Sequence, residues 1–265
     1  MEIPDLLELL EAGVHFGHRK DKFHPKMKPY VFTIRDSVCI IDLEETTKAL
    51  EKALVFIQKQ IKENKIILLV GAKKQAKDLI KKMAQKTELP YVSNRWLGGL
   101  LTNFDTIRKR LKKLKELKTQ KEAGEFEKFT KKEQLLKDSE IAKLEKNFGG
   151  IADLTKLPDA LFVVDSIKEK VAVGEARILN IPVIAICDTN ADPTFIDYPI
   201  PANDDAIKSL EIILGIIEQA ICKAKSPNKL GTGIKKEKKR ITEKVEKPSD
   251  KNQTSIEEVA TQEVI

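Results

Sequence analysis

Lys65-Ile66-Ile67-Leu68-Leu69-Val70-Gly71 decides the fold. Five apolar residues in a row leave no polar face, so a strand built from them is buried on both sides. The signature returns in Ala160-Leu161-Phe162-Val163-Val164-Asp165 and in Ile181 to Cys187, which ends at Asp188. Between these runs the spacing turns helical: Leu50, Leu54, Ile57 and Ile61 share one face of Glu44 to Glu63. Lys73 to Lys86 and Lys168 to Leu179 read as further helices, and Asp204 to Lys223 as the last long one. Val38 to Leu43 and Tyr91-Val92-Ser93 are compact strands, and Tyr198-Pro199-Ile200-Pro201 is a proline-marked edge piece. A short helix from Asp5 to Ala12, with Leu6, Leu9 and Leu10 on one side, ends at Gly13. Buried strands alternating with helices predict an α/β fold, a doubly wound parallel sheet flanked by helices. Its functional edge is expected at the carboxyl ends of the strands.

Phe104 to Phe148 breaks the rhythm. Asp105 to Lys121 holds eight basic residues against two acidic ones, with Ile107, Leu111, Leu114 and Leu117 as a narrow apolar stripe. The chain can turn around Gly124, and Lys131 to Phe148 returns with Leu135, Ile141, Leu144 and Phe148. This pattern predicts an inserted antiparallel coiled-coil helical hairpin. Residues 1–103 and 149–225 then form a discontinuous α/β domain and 104–148 the hairpin. From Ser226 to Ile265 lysine, glutamate, threonine, serine and glutamine dominate without aromatics, and a disordered charged tail is expected over 226–265.

With 265 residues and 41% hydrophobic content the chain can build a sizeable core. A balance of 48 Lys+Arg against 41 Asp+Glu gives net charge +7, and the pI near 9.0 favours a polyanionic partner, nucleic acid first. Cys39, Cys187 and Cys222 are far apart and form no metal or redox pair. Cys39 and Cys187 lie in apolar runs, so buried inert thiols in a reducing compartment are expected. No secretory leader and no membrane-length apolar run is apparent.

Asn94-Arg95-Trp96-Leu97-Gly98-Gly99-Leu100-Leu101-Thr102-Asn103-Phe104 joins a strand to the hairpin. Arg95 offers a planar fork suited to phosphate, and Trp96 a large rigid anchor, and both are candidate RNA or ribosome contacts. The first half of the hairpin adds Arg108, Lys109, Arg110, Lys112 and Lys113 as candidate phosphate contacts, with a solvated charged spacer as the alternative. Lys26 and Lys28, interleaved with aromatics, can lie along a phosphate backbone or simply face solvent. Gly71-Ala72-Lys73-Lys74 lacks the Walker spacing and its second glycine, so a tight strand-to-helix turn is expected there. No nucleophile elbow is present, and the chain reads as a non-enzyme. Asp188, Asp204 and Asp205 fall at one sheet edge, and with His18 they could hold zinc or magnesium. The alternative is structural: Asp204 caps the last helix, Asp188 caps a turn, and the histidines hydrogen-bond backbone. A rival α/β enzyme or ligand-binding module would also use that edge, and a second rival is a platform that binds protein alone.

These motifs in order resemble a known family. Gly13-Val14-His15-Phe16-Gly17-His18, Pro25-Lys26-Met27-Lys28-Pro29-Tyr30, Arg95-Trp96-Leu97-Gly98-Gly99, Gly149-Gly150-Ile151, Leu157-Pro158-Asp159-Ala160, Glu175-Ala176, Asp188-Thr189-Asn190-Ala191-Asp192-Pro193 and Asn203-Asp204-Asp205-Ala206 carry the likeness. They are similar to the family of ribosomal protein S-two, the second protein of the small subunit, in its bacterial or organellar form. The resemblance runs from about Leu6 to Cys222. It implies a cytoplasmic structural constituent of the small ribosomal subunit, bound to small-subunit rRNA and neighbouring ribosomal proteins, with no small-molecule substrate, no membrane and no required cofactor. It implies docking of ribosomal protein S-one, with Phe32 on the docking surface. His18, Asp188, Asp204 and Asp205 all fit the family's motifs. Asn94 stands where the pattern would carry a charge.

Overall fold

A computed structural model describes residues 4–225; the tail expected to be disordered over 226–265 lies outside the described residues. Its strands are β1 (Phe16–Arg19), β2 (Val31–Arg35), β3 (Val38–Ile41), β4 (Ile67–Val70), β5 (Tyr91–Val92), β6 (Ala160–Val164), β7 (Val183–Cys187) and β8 (Tyr198–Pro201). Its helices are α1 (Leu6–Glu11), α2 (Leu43–Lys62), α3 (Lys74–Thr87), α4 (Phe104–Glu122), α5 (Lys131–Phe148), α6 (Lys170–Ile178) and α7 (207–225).

β4 to β8 make one parallel sheet in the order β5-β4-β6-β7-β8. All four residues of β4 and all five of β6 and β7 are buried, as continuous apolar strands require when both faces are covered. Alternate residues separate onto two cores. Ile67, Leu69, Phe162, Val164, Ile184 and Ile186 pack with α2, α3 and α7. Leu68, Val70, Leu161, Val163 and Ala185 pack on the other face with α4, α6 and the Trp96 loop. The fold is therefore α/β, a parallel sheet flanked by helices. Strand order reverses beside β4, the place where such sheets open a crevice at their carboxyl ends.

The strand expected at Val38 to Leu43 joins a different sheet. β1, β3 and β2 form an antiparallel three-stranded sheet in that order. Asp36 and Ser37 close the β2–β3 hairpin with φ of 49° and 63°, the twist a two-residue turn needs. Both outer strands carry an extra residue. β1 steps from Phe16 to Arg19 while β3 steps only from Ile40 to Val38, and β2 slips between Val31 and Thr33. Such bulges re-aim side chains, here those of His18 and Phe32.

α4 and α5 are joined through Gly124 (φ 72°) and a single turn at Glu125–Lys128. A capping box starts α5, Thr130 and Glu133 bonding each other's backbone. Lys118 bonds Glu145 at 2.7 Å and Lys121 bonds Asp138 at 2.8 Å, with Lys113 also on Glu140. The stripe of Ile107, Leu111, Leu114 and Leu117 is buried with Ile141 and Phe148 in the second core. Among the described residues no helix is long and apolar enough to cross a membrane.

Candidate functional site

At the carboxyl edge of the parallel sheet, charges from separate elements meet. Asp165 follows β6, Asp188 follows β7, Asp204 and Asp205 follow β8, and Lys73 precedes α3. The Lys73 ammonium lies 2.7 Å from Asp204, 2.7 Å from Asp205 and 3.4 Å from Asp165. His18 reaches in from the β1 bulge, Nδ1 2.9 Å from Asp188 and Nε2 3.4 Å from Asp205. The bulge is possible because residue 17 is glycine: a Cβ there would stand 2.5 Å from the Thr189 methyl and 2.9 Å from the Cys39 carbonyl oxygen.

Burial drives the Asp204 carboxyl up, reinforced by Asp165 and Asp188, while Lys73 opposes the rise. Burial alone would lower the Lys73 ammonium, but its bonds to Asp204 and Asp205 win and raise it. His18 is raised, chiefly by its hydrogen bond to Asp188, against burial. Four carboxylates against one ammonium and one imidazole leave the cluster short of positive charge. Donor atoms of His18, Asp188, Asp204 and Asp205 all lie within 4.8 Å of one another. Tetrahedral ligands about 2.1 Å from zinc stand roughly 3.4 Å apart, so a small contraction would suffice. The structural alternative holds only in part. Asp188 does bind its turn, accepting from Thr189 N at 2.5 Å and His18 N at 3.2 Å. The start of α7 is organised instead by Asn203, whose Oδ1 accepts from Asp205 N and Ala206 N.

The second construction is the loop that leads into α4. Glu175 of α6 sits under it, accepting from Trp96 Nε1 (3.1 Å), Gly99 N (2.7 Å), Leu101 N (2.9 Å), Thr102 N (3.1 Å) and Thr102 Oγ1 (3.2 Å). Burial opposes its charge, yet these donors outweigh burial and hold its carboxyl below the ordinary value. Gly99 turns at φ 86°, where a side chain would be strained, whereas a Cβ at Gly98 would meet nothing. Trp96, expected as an RNA or ribosome contact, is only 7% exposed, so its ring anchors the loop from inside, while Arg95 is exposed beside it.

The family described as Ribosomal protein S2 matches residues 9–224. The chain belongs to the ribosomal protein S2 family. It is 48% identical over 221 residues to the small ribosomal subunit protein uS2 of Nocardia farcinica, covering 83% of this chain and 78% of that one. Its identity to the uS2 proteins of Mycobacteroides abscessus and Mycobacterium leprae is also 48%, over 83% of this chain and 80% of each. The role that goes with S2 membership is structural, with no catalysis.

Across this S2 chain the predicted contacts divide. Arg95, Lys28, Arg108, Lys109 and Arg110 are exposed and, among the described residues, carry no ion pair. Lys26 is held by Asp192 at 3.0 Å, Lys112 by Glu116 at 3.7 Å, and Lys113 by Glu140. Phe32, on the outer strand β2, is 74% exposed. The expectation for Gly71-Ala72-Lys73-Lys74 holds: Ala72 N donates to Glu169 at 3.0 Å, so a carboxylate already sits at that turn. Cys39 and Cys187 are buried, and burial pushes the Cys187 thiol to about 12. Lys73, Asp165 and Glu175 are the residues sequence reasoning did not assign a role. The signal for the first two was position, each standing just past a buried strand.

Proposed function

We propose that this S2-family chain is a cytoplasmic constituent of the small ribosomal subunit, held there by small-subunit rRNA and neighbouring ribosomal proteins. The observation that carries the proposal is the run Arg108, Lys109 and Arg110, exposed and, among the described residues, unpaired on a helix whose other lysines are all in ion pairs. Cations left without carboxylate partners are free to neutralise phosphates, which positions a protein on RNA without reading sequence. Arg95, on the loop braced by Glu175, and Lys28 are further exposed cations without an ion pair among the described residues. α4 and α5 act as an antiparallel coiled-coil arm over 104–148, inserted in an α/β domain of 1–103 and 149–225. The buried stripe and the ion pairs between the two helices support that division.

The test is binding of full-length protein to small-subunit rRNA across a salt series. Replacing Arg108, Lys109 and Arg110 with glutamine should reduce the salt slope by about 0.7–0.9 per lost contact. Replacing Lys112 and Lys113, already paired, should change it less. Equal slopes for the triple variant and the parent would refute the assignment.

Phe32 suits docking of ribosomal protein S-one: a bulge turns a large apolar ring outward on an unpaired strand edge. The carboxylate cluster suits a divalent cation. A set of one imidazole and several carboxylates fits zinc better than magnesium, which prefers oxygen ligands alone. His18, Asp188, Asp204 and Asp205 would hold it, displacing Lys73 from Asp204 and Asp205. Zinc added to chelator-treated protein should raise the melting temperature, and His18→Gln should abolish the rise. A melting temperature indifferent to zinc would remove the metal from the proposal and leave Lys73 as the permanent counter-ion.

A further inference from the structure

We propose that a groove beside α6 receives one unpaired nucleotide of an RNA strand; this rests on the reading of the chain as an RNA-bound ribosomal protein and deepens it. The groove encloses about 630 Å³ at the carboxyl edge of the sheet. Ile167, Val171 and Ile196 form apolar walls, and Ile167 and Val171 stay 42% and 49% exposed. Phe195, 47% exposed, presents its ring with the Arg177 guanidinium 4.1 Å from the centroid. A guanidinium plane on an aromatic ring is a platform on which a flat base stacks.

Three further features narrow the occupant. The Asn190 side chain lines the groove. A carboxamide N–H can donate to the edge of a base. Lys170 lies exposed on the rim, and His24 and Asp192 also line the groove, the Asp192 carboxylate held by Lys26 at 3.0 Å. An anionic phosphate attached to the base would meet Lys170 at the rim. Arg177, Phe195 and Ile196 also line a second, more polar cavity of about 370 Å³ with Asn180 and Asp197. Two cavities sharing a stacked wall suit consecutive residues of a strand rather than a free nucleotide. An apolar peptide would use the walls but would leave the guanidinium over the Phe195 ring without a purpose.

Fluorescence anisotropy of the full chain with labelled ten-residue oligouridine, oligoadenine and a ten-base-pair RNA duplex tests this. Phe195→Leu, which keeps an apolar side chain, should weaken single-strand binding about fivefold or more and leave duplex binding within twofold. Lys170→Gln, a surface change, should weaken single-strand binding in the same direction and serves if Phe195→Leu melts early. AMP at millimolar concentration should fail to displace the strand. Single-strand binding equal to that of the parent in both variants overturns the groove. If the arginine-run variant is weakened in the same assay, the ribosomal reading survives that failure. Displacement by AMP would make the groove a free-nucleotide site. Loss of small-subunit association with RNA affinity intact would assign it to a protein neighbour. Either result overturns the proposal. A parent chain that binds neither RNA overturns the groove and removes the RNA reading with it.

Discussion

Glu175 shows how one residue can fix a functional surface without touching a partner. Its carboxylate gathers five hydrogen bonds from Trp96, Gly99, Leu101 and Thr102, so the loop before α4 is wrapped around a single buried charge. Glu175→Ala would leave those donors unpaired in the interior, at a cost of roughly 3 kcal/mol or more. Glu175→Gln would set an amide against donors and cost somewhat less. The pH dependence follows from the lowered carboxyl. A group depressed below its ordinary 4.5 contributes stability that is complete above that value and disappears as pH falls through the folded value. The parent should therefore lose melting temperature on acidification below about 4.5, and Glu175→Gln should lose less over the same window. Parallel acid profiles for the two proteins would contradict this role for the carboxylate.

At the scale of elements, the arm separates two uses of positive charge. Lys113, Lys118 and Lys121 reach across from α4 to acidic residues of α5. Exposed pairs of this kind contribute little to stability, so changing the three to glutamine should barely move the melting temperature. The seam is different: Leu111 and Leu114 are 3% and 1% exposed and pack into the core that also holds β4 and β6. Leu114→Ala should cost about 2–5 kcal/mol, measured by denaturant unfolding. A cost below 1 kcal/mol would mean that the arm is anchored elsewhere.

Over the whole molecule, legibility in the sequence followed burial. The parallel sheet could be read because β4, β6 and β7 are apolar without interruption. The antiparallel sheet could not: every residue of β2 after Val31 is exposed, so no alternation marks it, and its bulges break the period further. His18, Asp188, Asp204 and Asp205 were legible as a group because each lies at a strand end or a glycine-flanked turn. Lys73 and Asp165 join them only through tertiary convergence, and Glu175 lies mid-helix, where spacing says nothing about five donors arriving from another loop. The cationic run was legible as composition. Its division into paired and free residues depended on where α5 returned for Lys113, Lys118 and Lys121, and on Glu116 and Asp153 for Lys112 and Lys115.

The most direct measurement is sedimentation of tagged full-length chain from lysate at high and low magnesium. The chain should travel with whole ribosomes at high magnesium and with the free small subunit when they dissociate, and the Arg108, Lys109 and Arg110 to glutamine variant should leave that fraction at lower salt than the parent. A chain that stays at the top of the gradient under both conditions would contradict a place in the small subunit.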